Sequence, residues 1–239
     1  MKKIAIVIPT YNELENIESL IKAILKNTSD VTIFLVDDSK DESIGSLINS
    51  KNLKVKYFHR KNERGRGSAV LYGFRKALEE DKYDIFIEMD ADFSHDPQEL
   101  NSHIKNFENL ELDLLIASRY LKNSKIINWS VQRKVLSKLS NFLARVLLGI
   151  NLKDFTNGFR FYSKRAAEKV TNTCGNIGDG FIILSEIIVV LNNNNFKISE
   201  ISTIFVNRVR GESKVNVNEI LNSFIGLIKL YLSTKINKK

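Results

Sequence analysis

Short apolar, β-branched runs alternate with longer stretches whose apolar residues recur at helical spacing. Ile4, Ala5, Ile6, Val7 and Ile8 are continuous, the pattern of a strand buried on both faces. Leu14, Ile17, Leu20, Ile21, Ile24 and Leu25 follow with a helical period. The same reading predicts strands over 31–36, 53–58, 85–89 and 112–117. It predicts helices over 43–48, 69–78 and 97–107, the last with Pro97 in its first turn. Repeated strand–helix–strand units fold as a mostly parallel, Rossmann-like α/β sheet flanked by helices. The second half predicts helices over 131–148, 181–191 and 217–232, a strand over 158–162, and one or two strands over 196–206. No internal repeat or inter-domain linker interrupts this pattern.

The 239 residues fit one domain, with at most an extension. A hydrophobic fraction of 43% can bury a sizeable core. The single cysteine, Cys174, excludes an internal disulfide and a cysteine metal cluster, and suits a reducing compartment. A formal charge of +8 favours nucleic acid, anionic lipid or phosphorylated ligands as partners. Lys and Arg are spread along the chain rather than blocked into a tail, which speaks against a nucleic-acid-binding arm. The apolar stretches 181–191 and 220–228 are too short to cross a bilayer. The run 4–8 is too short for a signal-peptide core and ends at Pro9 without a small-residue cleavage site. A cytoplasmic protein with no transmembrane domain is expected.

Ligands of open α/β sheets bind beyond the carboxyl ends of the strands. Pro9-Thr10-Tyr11-Asn12-Glu13 follows the first predicted strand, Asp37-Asp38-Ser39 the second, Asp90-Ala91-Asp92 the fourth and Ser118-Arg119-Tyr120 the fifth. Such a crowd of charges is costly without a ligand or metal to pair it. Two carboxylates one residue apart can grip Mg²⁺ or Mn²⁺ together with a diphosphate. Taken alone, Asp90 and Asp92 fit equally a solvated loop that caps the helix near Pro97. Asp37-Asp38 alone fits a turn or an N-cap. Gly65-Arg66-Gly67 fits a phosphate approach or a flexible turn, and lacks the Lys-Ser/Thr of a Walker loop. Arg119, Arg133, Arg208 and Lys214 each fit a solvated surface charge. Glu186, inside an apolar run, fits a paired core carboxylate or a catalytic one. His59, His95 and His103 are scattered and suggest no metal site.

Order and context add to this. The Pro9–Glu13, Val36-Asp37-Asp38 and Met89-Asp90-Ala91-Asp92 segments, in that order, resemble family-2 glycosyltransferases of the GT-A fold. Asp90 through Pro97, Ser118-Arg119-Tyr120, Arg133 with Ser137, Thr156-Asn157-Gly158-Phe159-Arg160, and Arg208 with Gly211-Glu212-Ser213-Lys214 are similar to the dolichyl-phosphate and polyprenyl-phosphate mannose synthase branch. The resemblance spans Ile4 to Lys214. It implies an inverting transfer of mannose from GDP-mannose to a polyprenyl or dolichyl phosphate, giving a β-linked product, with Mg²⁺ or Mn²⁺ as cofactor.

By the same resemblance, Pro9, Tyr11, Glu13, Val36 and Asp38 belong to a nucleotide pocket, and Asp90, Ala91 and Asp92 to the donor diphosphate and metal site. Ser94 stands where some members carry a metal-ligating Gln, and is shorter than that residue. Arg119, Arg133 and Ser137 fall near the lipid phosphate, and Arg208 and Lys214 on a loop closing over the donor. Arg210 stands where an aromatic such as Tyr is expected, a departure in that closing loop. The implied organisation is a catalytic domain over 1–215 and an amphipathic helix with a basic tail over 216–239. Val217, Ile220, Leu221, Phe224, Leu227, Ile228 and Tyr231 form a stripe that fits a membrane interface or packing on the core. The helix over 131–148 is a second candidate for membrane contact. Peripheral attachment to the cytoplasmic face, or a separate membrane-anchoring protein, is expected, and no nucleic-acid partner.

Three rivals remain at this level. The same chemistry fits UDP-glucose or another nucleotide sugar. Transfer to a sugar hydroxyl would need a base, with Asp179 or Glu186 as the suspect. A non-catalytic basic module binding anions or lipid accounts for the +8 charge but not for the acidic strand ends.

Overall fold

The computed structural model describes residues 2–178, 182–207 and 225–233. The first half runs β1 (Ile4–Thr10), α1 (Leu14–Asn27), β2 (Val31–Asp37), α2 (Ser43–Ser50), β3 (Lys56–His59), α3 (Arg66–Leu78), β4 (Ile85–Glu88), α4 (Leu100–Asn109) and β5 (Leu114–Ser118). The second runs β6 (Lys125–Ile127), α5 (Val131–Leu148), β7 (Arg160–Ser163), α6 (Lys164–Thr173), α7 (Ile182–Asn193), β8 (Ile198–Ser202) and β9 (Ile204–Val206). The main sheet has the order β3-β2-β1-β4-β7-β5-β8, and β6 pairs with β9 in a separate ribbon. Within the main sheet β7 runs antiparallel to β4 and β5, and the remaining pairs are parallel. The expected mostly parallel α/β sheet is thus present.

Strand periodicity divides the core between the two faces. Ile4, Ile6 and Ile8 pack with Ile17, Leu20, Ile21 and Ile24 of α1 and with Leu100, Ile104 and Phe107 of α4. Ala5 and Val7 point the other way, into a cluster with Val70 and Phe74 of α3, Val170 of α6 and Ile183 and Ile187 of α7. Helix α3 lies close against β1 because Gly73 carries no side chain. A Cβ there would stand 2.4 Å from Val7 Cγ1 and 3.2 Å from Val36 Cγ2.

The structure corrects several boundaries. The third strand is Lys56–His59 rather than 53–58, with Leu53 and Val55 in the approach to it and Asn52 in the left-handed region at φ 47°. The helix expected from 69 starts at Arg66, because Gly65, at φ 130°, turns the chain into it. The segment after Pro97 opens as a 3₁₀ turn whose first N–H groups are capped by Asp96, with Gln98 N–H donating to Asp96 Oδ1 at 2.9 Å. Asp96, rather than Asp90 or Asp92, therefore caps this helix. Helix α6 and strand β6 were not expected. The buried side of α6 consists of Ala166, Ala167, Val170 and Thr171, small residues in a segment that is polar overall, so no run of large apolar residues marks it. Strand β6 is three residues long and largely exposed.

Of the predicted C-terminal helix, 217–224 lies outside the described residues, and residues 225–233 are helical. There Leu227 and Leu230 are buried in the α3-side core, while Ile225, Ile228 and Leu232 are exposed. A Cβ at Gly226 would stand 2.7 Å from Ile182 Cγ1, so this helix also touches α7 closely.

Gly73→Ala forces a methyl group into Val7 at the centre of the sheet. Urea denaturation should show a loss of about 1–3 kcal/mol. An unchanged midpoint would mean that the close approach of α3 to β1 has slack.

Candidate active site

The strand order places a site. From β1 the chain winds outward to β2 and β3, and then returns to add β4 on the other side of β1. The carboxyl ends of β1 and β4 therefore flank a topological switch point, where open sheets leave a crevice. The end of β5 and, because β7 is antiparallel, the beginning of β7 reach the same edge.

On the β1–β2 side, both carboxylates after β2 bind the protein itself. Asp37 is fully buried. Its Oδ1 accepts from Thr10 Oγ1 at 3.0 Å, Ser39 N at 2.9 Å and Ser39 Oγ at 2.6 Å, and its Oδ2 accepts from Tyr57 Oη at 2.9 Å. Burial and that bond to Asp37 push the Tyr57 hydroxyl well above its ordinary pKa. Asp38 takes Arg60 in a two-pronged bond, Nε at 2.8 Å and Nη2 at 2.7 Å, and its Oδ2 also accepts from Gly65 N at 3.0 Å. Asp38 thereby holds the turn that starts α3. Val36 has its side chain in the core, so its backbone is the part nearest this edge. Pro9 closes β1 beside Val36, Glu13 accepts from Asn16 Nδ2 at 2.7 Å, and the Tyr11 ring lies under the Arg64 guanidinium at 5.1 Å.

At the end of β4, Arg66 is the central cation. Its Nε and Nη2 stand 2.8 and 2.7 Å from Asp90 Oδ1, and its Nη1 donates to Glu88 at 3.0 Å. Nη2 also donates to Gly158 O at 3.2 Å. Gly158 makes this possible, because a Cβ there would stand 1.8 Å from Arg66 Nη2. These carboxylates hold the Arg66 pKa above its ordinary value, against burial.

The loop beyond Asp90 is pinned by His95. The Asn157 amide donates to Ala117 O, which turns its Oδ1 toward the ring. His95 Nε2–H then donates to Asn157 Oδ1 at 3.1 Å, leaving Nδ1 to accept from Asp90 N–H at 3.2 Å. Burial lowers the His95 pKa, which suits this neutral tautomer. The ring stacks on Phe159 at 5.1 Å. Between the carboxylates and the histidine, Phe93 occupies the left-handed region at φ 59°, a strained place for an aromatic residue.

Asp90 and Asp92 offer hard oxygen donors. Asp92 is largely buried and accepts from Ser94 N at 3.0 Å, while Ser94 Oγ is buried without a hydrogen-bond partner among the described residues. Among those residues no group of three or more His, Cys, Asp and Glu forms a protein-only cage. The set fits a cation completed by substrate phosphate and water, the usual habit of Mg²⁺.

Across the crevice, Arg119 is buried and bonded in two prongs to Asp154, Nε at 2.8 Å and Nη2 at 2.7 Å. Nη2 also donates to Thr156 Oγ1 at 2.6 Å. Asp154 raises the Arg119 pKa against burial and Arg119 lowers that of Asp154, so both stay charged. Asp90 contributes to the Arg119 field as well, which brings the two sides within electrostatic reach. The guanidinium packs against Trp129 and Phe205, each at 5.4 Å. Arg133 lies 4.2 Å over the Trp129 ring and donates to Asn207 Oδ1 at 2.9 Å. Ser137 accepts from the Tyr120 hydroxyl at 2.5 Å. Arg208, Lys214 and Asp179 lie outside the described residues.

Arg66, His95, Asp154 and Asn157 were missed as site residues. Arg66 stands before a predicted helix, and His95 and Asn157 lie inside segments that carry the resemblance, but their roles depend on partners distant in sequence, as does that of Asp154. Glu186 accepts from Gly175 N at 3.0 Å and is buried, as a core carboxylate would be. Burial pushes the Cys174 thiol up to about 12, which leaves it unreactive.

Arg66→Met should tighten Mn²⁺ binding, read by paramagnetic resonance titration, by about fivefold, the order of magnitude of one screened charge. Weaker binding would mean that Arg66 organises the carboxylates rather than competing at them. Asp154→Ala should cost about 3–5 kcal/mol by stranding a buried guanidinium. Thermal denaturation showing a smaller loss would place Arg119 in water.

The sequence model of Glycosyl transferase family 2 matches residues 5–171. The chain is 34% identical over 219 residues to polyprenol monophosphomannose synthase of Mycolicibacterium smegmatis, covering 90% of this chain and 82% of that one. It is 30% identical over 218 residues to undecaprenyl-phosphate mannosyltransferase of Micrococcus luteus, covering 90% and 88%. Among solved structures, glucosyl-3-phosphoglycerate synthase of Mycobacterium tuberculosis with Mn²⁺, UDP and glucosyl-3-phosphoglycerate superposes with a TM-score of 0.67 at 17% identity, covering 97% of this chain and 79% of that one. That likeness shows a GT-A type fold.

Proposed function

The chain belongs to glycosyl transferase family 2, and from that premise we propose that it transfers mannose from GDP-mannose to a polyprenyl phosphate at the cytoplasmic face of a membrane. The observation that carries this reading is the Phe205 ring, which stands 5.7 Å from His95 of the carboxylate loop and 5.4 Å from Arg119, and so links that loop to the arginine across the crevice. The relatives named for mannose transfer to polyprenol and undecaprenyl phosphates favour that donor sugar and acceptor over UDP-glucose. Membrane association is peripheral in this reading, and no helix among the described residues is long and apolar enough to cross a membrane.

The donor carries its own leaving group, a nucleoside diphosphate. As the bond from the anomeric carbon to the β-phosphate oxygen breaks, negative charge grows on that oxygen. Mg²⁺ or Mn²⁺ held by Asp90 and Asp92, with Ser94 as a third oxygen, would supply Lewis-acid stabilisation there. The chain prepares those carboxylates: His95 fixes the Asp90 backbone, and Arg66 screens the Asp90 side chain until a cation competes for it. Arg208 and Lys214 would add positive charge on the donor. Pro9, Tyr11, Glu13, Val36 and Asp38 form the nucleotide side, with Asp38 acting through the Arg60 and Gly65 bonds that shape the turn.

The acceptor phosphate oxygen is already anionic at neutral pH. It attacks the anomeric carbon in line, and the new phosphate–sugar bond forms as the diphosphate departs with the old bond's electrons. Inversion turns an α-linked donor into a β-linked product. No base is required, only alignment and screening, for which the planar guanidinium groups of Arg119 and Arg133 are suited. Glu186, a base that a hydroxyl acceptor would call for, is instead tied to Gly175.

The test offers purified full-length protein labelled GDP-mannose, UDP-glucose or UDP-N-acetylglucosamine with Mg²⁺ and a polyprenyl phosphate in detergent. Label should enter the organic phase from GDP-mannose. Asp90→Asn should cut that transfer roughly 10²–10³-fold, as loss of a charge-stabilising group does elsewhere. Transfer from UDP-glucose instead would overturn the donor, and an anomeric carbon retained as α would overturn the single displacement.

A further inference from the structure

Charge along this chain is sorted in one place. The segment from Arg119 to Lys153 holds eight Lys and Arg and no Asp or Glu. The rest of the chain holds 28 of each sign, so the whole net charge of +8 resides in this one segment. At its centre is α5.

Helix α5 packs Leu143, Ala144, Leu147 and Leu148 on the core and leaves a second set of apolar residues facing away from it. Its buried residues are Asn141 and Ala144. Val131 is 77% exposed, Val135, Phe142 and Val146 are 60% exposed, and Leu139 is 51% exposed. Their spacing of i, i+4, i+8, i+11 and i+15 lines them up as one stripe along the helix. Lys134, Lys138 and Arg145 form a second row beside it, again at i, i+4 and i+11. An exposed apolar stripe with a basic margin is the pattern of a helix that lies in a bilayer interface.

The surroundings give this face a purpose. A cavity of about 470 Å³ between α5 and the segment after β5 is lined by Arg119, Tyr120, Lys134, Lys138, Phe142 and Arg145. It joins the basic row of α5 to the arginine that faces the carboxylate loop. Arg133 and Ser137 sit on the same helix.

We propose that the outer face of α5 is the docking surface for an anionic bilayer, with Val131, Val135, Leu139, Phe142 and Val146 entering the acyl boundary and Lys134, Lys138 and Arg145 held at the headgroups. Docked this way, the isoprenoid tail of an acceptor stays in the lipid, and its phosphate alone crosses the basic cavity to Arg119. This deepens the lipid-acceptor reading and takes its purpose from it, but bilayer binding can be measured without donor or acceptor.

The experiment is vesicle flotation of the full-length protein. Phosphatidylcholine vesicles are compared with vesicles containing phosphatidylglycerol, at low and high salt. A triple variant, Val135→Glu, Leu139→Glu and Val146→Glu, replaces exposed residues, and its circular dichroism and melting temperature check the fold. The wild type should float with the anionic vesicles, and the triple variant should bind them about tenfold less or worse. The variant should still transfer sugar to a short, water-soluble isoprenyl phosphate as the wild type does. Equal vesicle binding by variant and wild type overturns the proposal. So does a wild-type dimer, seen by light scattering, that the variant abolishes while neither binds vesicles, since a second copy then covers the stripe. Stripe-dependent vesicle binding by a protein that transfers no sugar to any isoprenyl phosphate upholds the docking face and sinks the lipid-acceptor reading instead.

Discussion

A carboxylate loop can sit on the end of a hydrophobic sheet only if its charge is answered from within the fold. Here the answer is the Glu88–Arg66–Asp90 chain of ion pairs. Glu88 is buried in β4, where Tyr162 donates to it at 2.6 Å and Arg160 stands 3.8 Å away. Arg66 reaches in from the start of α3 and links that buried charge to the exposed end of the strand. Without Arg66, two carboxylates would repel each other over a low-dielectric core, where such repulsion is costly. The rest of the edge follows from this link. Gly158 must be glycine to let the guanidinium pass, and β7 must lie beside β4 to present Gly158 at all.

The two sides of the crevice solve the same problem in opposite ways. On the Asp90 side anionic groups are held by cations of the chain, and on the opposite side Arg119 is held by Asp154. Each of these charges is thus fixed in place by the fold itself, at the expense of part of its free valence. Such preorganisation spares the site the reorganisation that flexible charges would need. Phe205 packs against both His95 and Arg119, so an aromatic contact joins the two sides.

The sheet, its first five strands and the strand-end motifs were legible in the sequence because burial imposes a period on it. Ile4 to Ile8 announced themselves by apolarity alone, and α5 was bounded at Val131 and Leu148 as predicted. What escaped notice had no such signal. The buried face of α6 is built of small residues in a polar segment, and β6 is only three residues long, so neither offers a run of large apolar residues. His95 and Asn157 are 62 positions apart and become partners only because β7 inserts beside β4. Asp38 read as a nucleotide contact, yet its carboxylate turned out to be engaged by Arg60, a pairing across 22 positions that no local rule exposes. Periodicity reports which face a residue takes, and is silent about which distant residue it meets.

The place of β7 in the sheet also has a consequence for the order in which the molecule can be made. Strands β4 and β5 are not neighbours, because β7 separates them. A nascent chain released as far as β5 therefore has a gap in its sheet where β7 belongs. The Asp113 carbonyl still awaits the Ser163 amide, and the Ala117 amide still awaits the Phe159 carbonyl. The carboxylate loop has by then been synthesised, but Asn157, which orients His95, has not. The N-terminal strands can associate early, as each leaves the ribosome next to a neighbour. The catalytic edge cannot close until the chain has run some forty residues further. Synthesis thus completes the β1–β4 part of the sheet first and the edge that carries Asp90 last.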